Sequence, residues 1–252
     1  MEPRALLERL DGIGQSLARS GHALALIGLG SVGLELERLD AYSDLDFFAI
    51  VEPGYKQTYL DDLDWLASLC PVAYCFANTD DGYKLLFEDG IFCEFAVFEP
   101  HELDAISFAP GRVVWRQPQV SPDIGRPAKG LPSRPKRSPD FLLGEALTNL
   151  YVGLARDKRG EKLSAARFIQ GYAVDRLLEL ADTLETARPV FRDEFANERR
   201  FEARHPGIAG LAAAWMQGYD RNRESALAIL AFLEQHFEVD QALAMAIRNL
   251  CQ

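Results

Sequence analysis

Three short apolar runs near the front of the chain alternate with stretches of helical period. "HALALIG" (22–28), "LDFFAIV" (45–51) and "VAYCFAN" (72–78) each read as a strand. Between them, roughly "SVGLELERL" after Gly30-Ser31 and "YLDDLDWLASL" (59–69) read as helices. A first helix precedes them in "MEPRALLERLDGIGQSLARSG", where apolar residues recur at helical spacing among charges. "GYKLLFEDGIFCEFAVF" (82–98) follows as a hairpin turned at Asp89-Gly90, because an Asp-Gly pair tolerates the positive φ angles of tight hairpin turns. Together these elements predict a mixed β-sheet with flanking helices.

The pattern changes at Pro110. Seven of the chain's 13 prolines fall between Pro110 and Pro139, with Arg112, Arg116, Arg126, Lys129, Arg134, Lys136 and Arg137 against Asp123 as the only acid. Proline removes backbone donors and fixes φ, so this stretch reads as an extended crossing between domains, or alternatively as a basic strap near phosphates. After Asp140, a candidate N-cap following Pro139, helical patterns cover roughly 141–157, 161–185, 189–204, 208–219 and 223–250, with a break near Val239. The predicted fold class is α+β: a sheet domain over 1–112, a Pro-rich basic linker over 113–139 and an all-α helical bundle over 140–252.

Composition narrows the function. A chain of 252 residues, 48% hydrophobic and 26% charged, has the make-up of an ordinary globular protein. The net charge of -11 would repel a phosphate backbone, which disfavours nucleic acid as partner and favours a small cationic molecule. The N-terminal stretch lacks the uninterrupted apolar core of a signal peptide, and no apolar run reaches membrane-spanning length. Cys70, Cys75, Cys93 and Cys251 lack metal-type pairing and fit reduced, buried thiols, so a cytoplasmic location is expected.

The chemistry concentrates in "GLGSVGLELERLDAYSDLDFFAI" (28–50). On a strand, residues two apart share a side, so Asp44 and Asp46 present two carboxylates together while Leu45 and Phe47 face the opposite layer. Carboxylates in an apolar strand are costly unless something compensates their charge. Mg2+ suits a carboxylate pair, since it fills its remaining positions with water and substrate phosphates. The same parity in "IFCEFAVF" puts Glu94 alone among Phe92, Ala96 and Phe98, so a third carboxylate converges if that strand pairs beside 45–51. Gly28, Gly30 and Ser31 sit where a strand would enter a helix, a place that favours an anion. Phosphate on one side and metal on the other implies a nucleoside triphosphate.

This stretch, with the later "FCEFAVF", resembles the nucleotidyltransferase superfamily, whose signature is a Gly-Ser, a D-x-D and a third acid on a neighbouring strand. A sheet domain followed by a helical bundle, "YSDLDFF", and the Arg159-Gly160-Glu161 run are similar to the antibiotic-modifying branch. The likeness is to the lincosamide nucleotidyltransferases and, more distantly, to the aminoglycoside ones. The resemblance implies transfer of a nucleoside monophosphate, AMP from ATP as co-substrate, to an acceptor hydroxyl with release of pyrophosphate. It implies that Gly30 and Ser31 hold the β- and γ-phosphates and that Asp44 and Asp46 bind Mg2+. Glu94 is implied as third acid, either on a second metal or as base for the attacking hydroxyl. A homodimer is compatible with the resemblance. One departure is Val32-Gly33-Leu34-Glu35, where relatives carry basic residues, so a phosphate-binding side chain is expected from Lys162, Arg167 or the basic strap.

Two alternatives stay open: a nucleotidyltransferase acting on protein or RNA, as in toxin–antitoxin systems, and a non-catalytic nucleotide-binding protein. Retention of three like charges counts against the latter. His22, His101, His205 and His236 lack zinc-site spacing, and no Gly-x-Ser-x-Gly is present. "FRDEFANERRFEARHP" (191–206) reads as a solvated helix, with Glu194 or Glu198 in an acceptor pocket as the minority reading. Tyr42 could stack on a base, whereas Trp65 is expected to pack.

Overall fold

The two apolar runs that carry the candidate acids become neighbouring strands. In the computed structural model, which describes residues 2–130, 137–190, 193 and 196–252, the strands are β1 (Ala23–Gly28), β2 (Leu45–Val51), β3 (Val72–Thr79), β4 (Gly82–Phe87), β5 (Phe92–Phe98) and β6 (Arg112–Arg116). They form one sheet in the order β3-β4-β5-β2-β1-β6. β2 and β5 are parallel and the other pairs antiparallel, so the sheet is mixed and the fold α+β, as expected. Asp89-Gly90 turns the β4–β5 hairpin, with Gly90 at φ 86°.

Alternation along β2 sorts its two faces. Leu45, Phe47 and Ala49 are buried with Leu6, Leu10 and Ile13 of α1 (Pro3–Arg19) and with Trp65 and Leu66 of α3 (Asp64–Ala67). Phe48 and Ile50 face the other way, against Phe98, Leu103 and Phe108. Each large side chain removed from water contributes about 1.5–3 kcal/mol. These two layers therefore fix the register of the strand between them.

Three elements differ from expectation. The helix predicted after Gly30-Ser31 does not form; single 3-10 turns stand at Gly30–Val32 and Leu36–Arg38. Gly30 has φ 52° and Gly33 φ -90°, ψ -116°, both outside the helical region, so no α-helix can run through them. The helix predicted over 59–69 is divided into α2 (Lys56–Asp61) and α3, because Asp62 is extended and its Oδ1 accepts from the amide of Asp64 at 2.8 Å. Arg112–Arg116, expected within an extended crossing, instead adds β6 to the sheet edge, where the Pro-free run Val113-Val114-Trp115 pairs with β1.

Contacts divide the chain into Met1–Ser133 and Arg134–Gln252. In the second unit α4 (Pro139–Lys158) is capped by Ser138, whose Oγ accepts from Phe141 N, rather than by Asp140; Pro139 takes the first helical position, where its missing N–H costs nothing. The run predicted over 161–185 is α5 (Lys162–Ala166), a π-helical turn (Arg167–Ala173) and α6 (Val174–Leu184). At that turn Gln170 is buried, and its amide bonds Gly218 N, Gly218 O and Asn222 Oδ1, each at 2.8 Å. The stretch 208–219 is reduced to single turns, α8 (Pro206–Ala209) and α9 (Ala212–Trp215), while α10 (Asn222–His236) and α11 (Gln241–Cys251) flank the expected break. Of the helix predicted over 189–204, α7 (Phe201–Arg204) is helical, and Phe191, Arg192, Glu194 and Phe195 lie outside the described residues, as do Arg134 and Lys136 of the basic segment. Leu147, Leu150, Ile169, Leu177, Trp215 and Ile229 belong to the core of this unit.

Candidate active site

β1 ends at Gly28, and the chain folds back on itself at once. A Cβ on Gly33 would stand 2.6 Å from the carbonyl oxygen of Gly28 and 2.8 Å from backbone of Leu29, so only glycine permits this approach. Leu29 N donates to Asp46 O at 2.8 Å, and the Gly30 carbonyl accepts from Gly33 N and Glu35 N. The turn is thereby laced to the start of β2. A Cβ on Gly30 would lie 3.7 Å from Asp46 Oδ2 and 3.8 Å from Arg38 Nη2. The carboxylate and a guanidinium therefore both stand over Gly30, with Ser31 next in sequence and half-buried.

Arg38 is itself held by an ion pair with the buried Glu35. Arg112, opposite Gly28 in the β1–β6 register, donates through Nε and Nη2 to Val32 O at 3.2 and 3.0 Å. Two cations thus bracket the Gly-Ser turn. Arg38 was hidden from sequence reading by the expected helix, while Arg112 belongs to the basic segment proposed as a strap. Lys162 pairs with Asp220 and Arg167 lies over the ring of Tyr172, both within the second unit. With no α-helix after Ser31, the aligned peptide dipoles expected to draw an anion there are missing. Arg38 stands there instead, with its charge paired to Glu35.

The β2–β5 pairing sets Asp46 directly opposite Glu94. On the next strand Lys84 is opposite Glu94, and Lys84 Nζ lies 3.1 Å from Glu94 Oε2 while Asn78 Nδ2 donates to Glu94 Oε1 at 3.0 Å. Asp44 stands one residue before β2 and is half-buried. The expected convergence is thus met in register and not among the carboxylates. Among the described residues no group of three His, Cys, Asp or Glu side chains could hold a metal ion. The physical reason is that Asp44 lies outside the strand and Glu94 is drawn toward β3 and β4 by Asn78 and Lys84. Asp44 and Asp46 remain two half-buried carboxylates at the start of β2, the donor type that Mg2+ takes in ones and twos beside water and phosphate.

Behind the acids Cys93 is buried. Burial raises its thiol pKa, Arg9 opposes this, and the charges of Asp44, Asp46 and Asp89 add to it, so it stays a protonated core residue and no nucleophile. Trp65 packs edge-on against Phe47 and Phe95, as expected, and its indole donates to Tyr59 O at 3.2 Å. Tyr42 is exposed on a turn in which Asp40 Oδ1 accepts from Tyr42 N.

No protein family and no curated protein matches the chain in sequence. Among solved structures it is similar to an aminoglycoside 6-adenyltransferase from Bacillus subtilis at 13% identity and a TM-score of 0.31, over 96% of this chain and 89% of that one. A likeness of that degree assigns no residue here, and the functional reading rests on the site's own geometry. No helix among the described residues is long and apolar enough to cross a membrane.

Proposed function

We propose that the chain is an adenylyltransferase that moves AMP from ATP to a hydroxyl of a small cationic acceptor, a lincosamide or aminoglycoside, and releases pyrophosphate, as an antibiotic-resistance enzyme would. The observation that carries this reading is the placement of Asp46 Oδ2 over Gly30 with Glu94 opposite Asp46 in register. It supports the reading because the Gly-Ser turn, one carboxylate and a further acid follow one another across the sheet. In this reading residues 1–112 supply the catalytic domain, 113–139 the basic linker and 140–252 the helical bundle.

Gly30 and Ser31 receive the β- and γ-phosphates, with Arg38 and Arg112 supplying the charge that the replaced helix does not. Asp44 and Asp46 would hold Mg2+, which when bound offsets phosphate charge and supports in-line displacement at the α-phosphorus. The acceptor oxygen bonds to that phosphorus as the bond to the pyrophosphate oxygen breaks. Glu94 takes the hydroxyl proton; Lys84 and Asn78 hold its carboxylate toward β3 and β4, away from the Asp44–Asp46 pair, and must yield to the acceptor for it to do so. The acidic chain attracts protonated amines, which favours aminoglycosides and lincosamides as acceptors.

Pyrophosphate release from ATP and Mg2+ against a panel of both antibiotic classes, with mass spectrometry of the acceptor, tests this. A gain of one AMP on a panel member, absent with Asp46→Asn, is expected. ATP binding without transfer to any panel member removes the small-molecule assignment, and absence of ATP binding removes the transferase reading itself.

A further inference from the structure

The register aligns more than the two acids. Phe76 pairs with Lys84, Lys84 with Glu94 and Glu94 with Asp46, so these four side chains form one transverse row on one sheet face. Next to it Tyr74 pairs with Leu86 and Leu86 with Phe92. Tyr74 and Phe76, 56% and 44% exposed, are the outer ends of the two rows, with ring centroids 5.9 Å apart and tilted by 49°. The face grades from an open aromatic pair at the β3 edge, over a cation and its alkyl stem, to the carboxylates.

We propose that this row is the acceptor's bed, and that Tyr74 and Phe76 receive the acceptor's protonated amine-bearing ring while its reacting hydroxyl reaches Glu94. The inference rests on the transferase reading and names how the substrate is selected. Strands lie about 4.8 Å apart, so Phe76 stands about 10 Å from Glu94 and about 14 Å from Asp46. A molecule of two or three linked rings spans that distance. An ammonium over a Tyr or Phe face is drawn to the ring's negative quadrupole. Lys84 sets the direction: its ammonium, held by Glu94, repels a second cation from the middle of the row, while its stem offers apolar surface to a ring. The acceptor's charge is thereby driven to the aromatic end and its hydroxyl to the acid end. Charge complementarity argues for this occupant, since an acidic chain with open aromatic faces suits a cation.

Binding without ATP separates this inference from the reaction it serves. Calorimetric titration with kanamycin and lincomycin, and with neutral maltotriose as control, is run on wild type, Tyr74→Ala/Phe76→Ala and Tyr74→Phe. Both residues are exposed, so folding is preserved and is checked by melting. The expected result is binding of at least one cationic probe, weakened about tenfold or more in the double alanine variant, retained in Tyr74→Phe and far weaker for maltotriose, with ATP affinity unchanged. Equal probe affinity in the double variant overturns the bed, as does no binding of either cation to wild type. A change in oligomeric mass in place of a change in probe binding assigns the face to a second copy and also overturns it. Lost probe binding in a protein that never transfers AMP leaves the bed standing and removes the transferase reading; transfer with an unchanged acceptor KM in the double variant does the reverse.

Discussion

Asp46 Oδ2 lies 3.7 Å from the point a Cβ on Gly30 would occupy, and Gly30 is held at φ 52°. A side chain there meets a left-handed backbone, with the carboxylate at ordinary contact distance. Gly30→Ala is expected to cost about 1–2 kcal/mol from the backbone alone. It should also raise the ATP KM more than it lowers the melting temperature would explain. Melting curves beside steady-state kinetics check this; unchanged KM would separate Gly30 from nucleotide binding.

Asp44 and Asp46 are expected to act as a pair. Asp44→Asn and Asp46→Asn should each lower turnover at least about 100-fold, a loss of about 2.7 kcal/mol in barrier terms, while the melting transition stays in place. The Mg2+ concentration for half-maximal rate should rise in whichever variant keeps measurable activity. Full turnover in either variant removes the metal-pair assignment.

Glu94 offers a distinction between base and ligand. As base, Glu94→Gln lowers kcat by about 10²–10⁴ with the Mg2+ requirement unchanged. A shift confined to the Mg2+ requirement would make it a ligand instead.

Arg38 is predicted to anchor phosphate and to shield Glu35. Arg38→Met leaves a buried carboxylate without its cation, so a loss of about 1–3 kcal/mol is expected together with weaker ATP binding. Arg38→Lys should recover stability better than ATP affinity, because an ammonium cannot reproduce the planar guanidinium contact. Chemical denaturation and ATP titration on both variants test the split.

Lys56 bridges Asp81 and Glu102 at 2.6 Å to each. Burial alone would lower its pKa, but the two hydrogen bonds outweigh this and hold it above 10.5. A cation with a raised folded-state pKa stabilises fully below the unfolded value and loses that contribution as pH climbs through the folded one. Lys56→Met should therefore be less stable than wild type at pH 7 and converge with it above pH 10.5. A difference that persists undiminished in that alkaline range would assign the effect to packing.

Strands and their acids were legible because alternation is a local signal. Leu45–Val51 matches its apolar run residue for residue, and Asp89-Gly90 implies the hairpin by turn chemistry alone. Folding that hairpin about residue 89 also places Lys84 opposite Glu94, a partner the parity of one strand does not reveal. The stretch after Ser31 was misread because "LELERL" has helical spacing, whereas Gly30 and Gly33 take backbone angles set by close contact with β1 and β2. Arg38 came to the site through that same tertiary constraint. Short turns from Pro206 onward were likewise obscured, since apolar spacing says nothing about the breaks at 210–211 and 216–218.

The π-helical turn at Arg167–Ala173 sets the phase of everything that follows it in that helix. An α-helix advances about 100° per residue, so deleting one residue there to restore regular winding would rotate Val174–Leu184 by that angle. Leu177, Leu180 and Ala181 would then swing off the core, and Gln170 would lose the geometry that joins it to Gly218 and Asn222. The wide turn therefore works as a phase shifter, letting one continuous helix show two differently aimed apolar stripes to the same bundle.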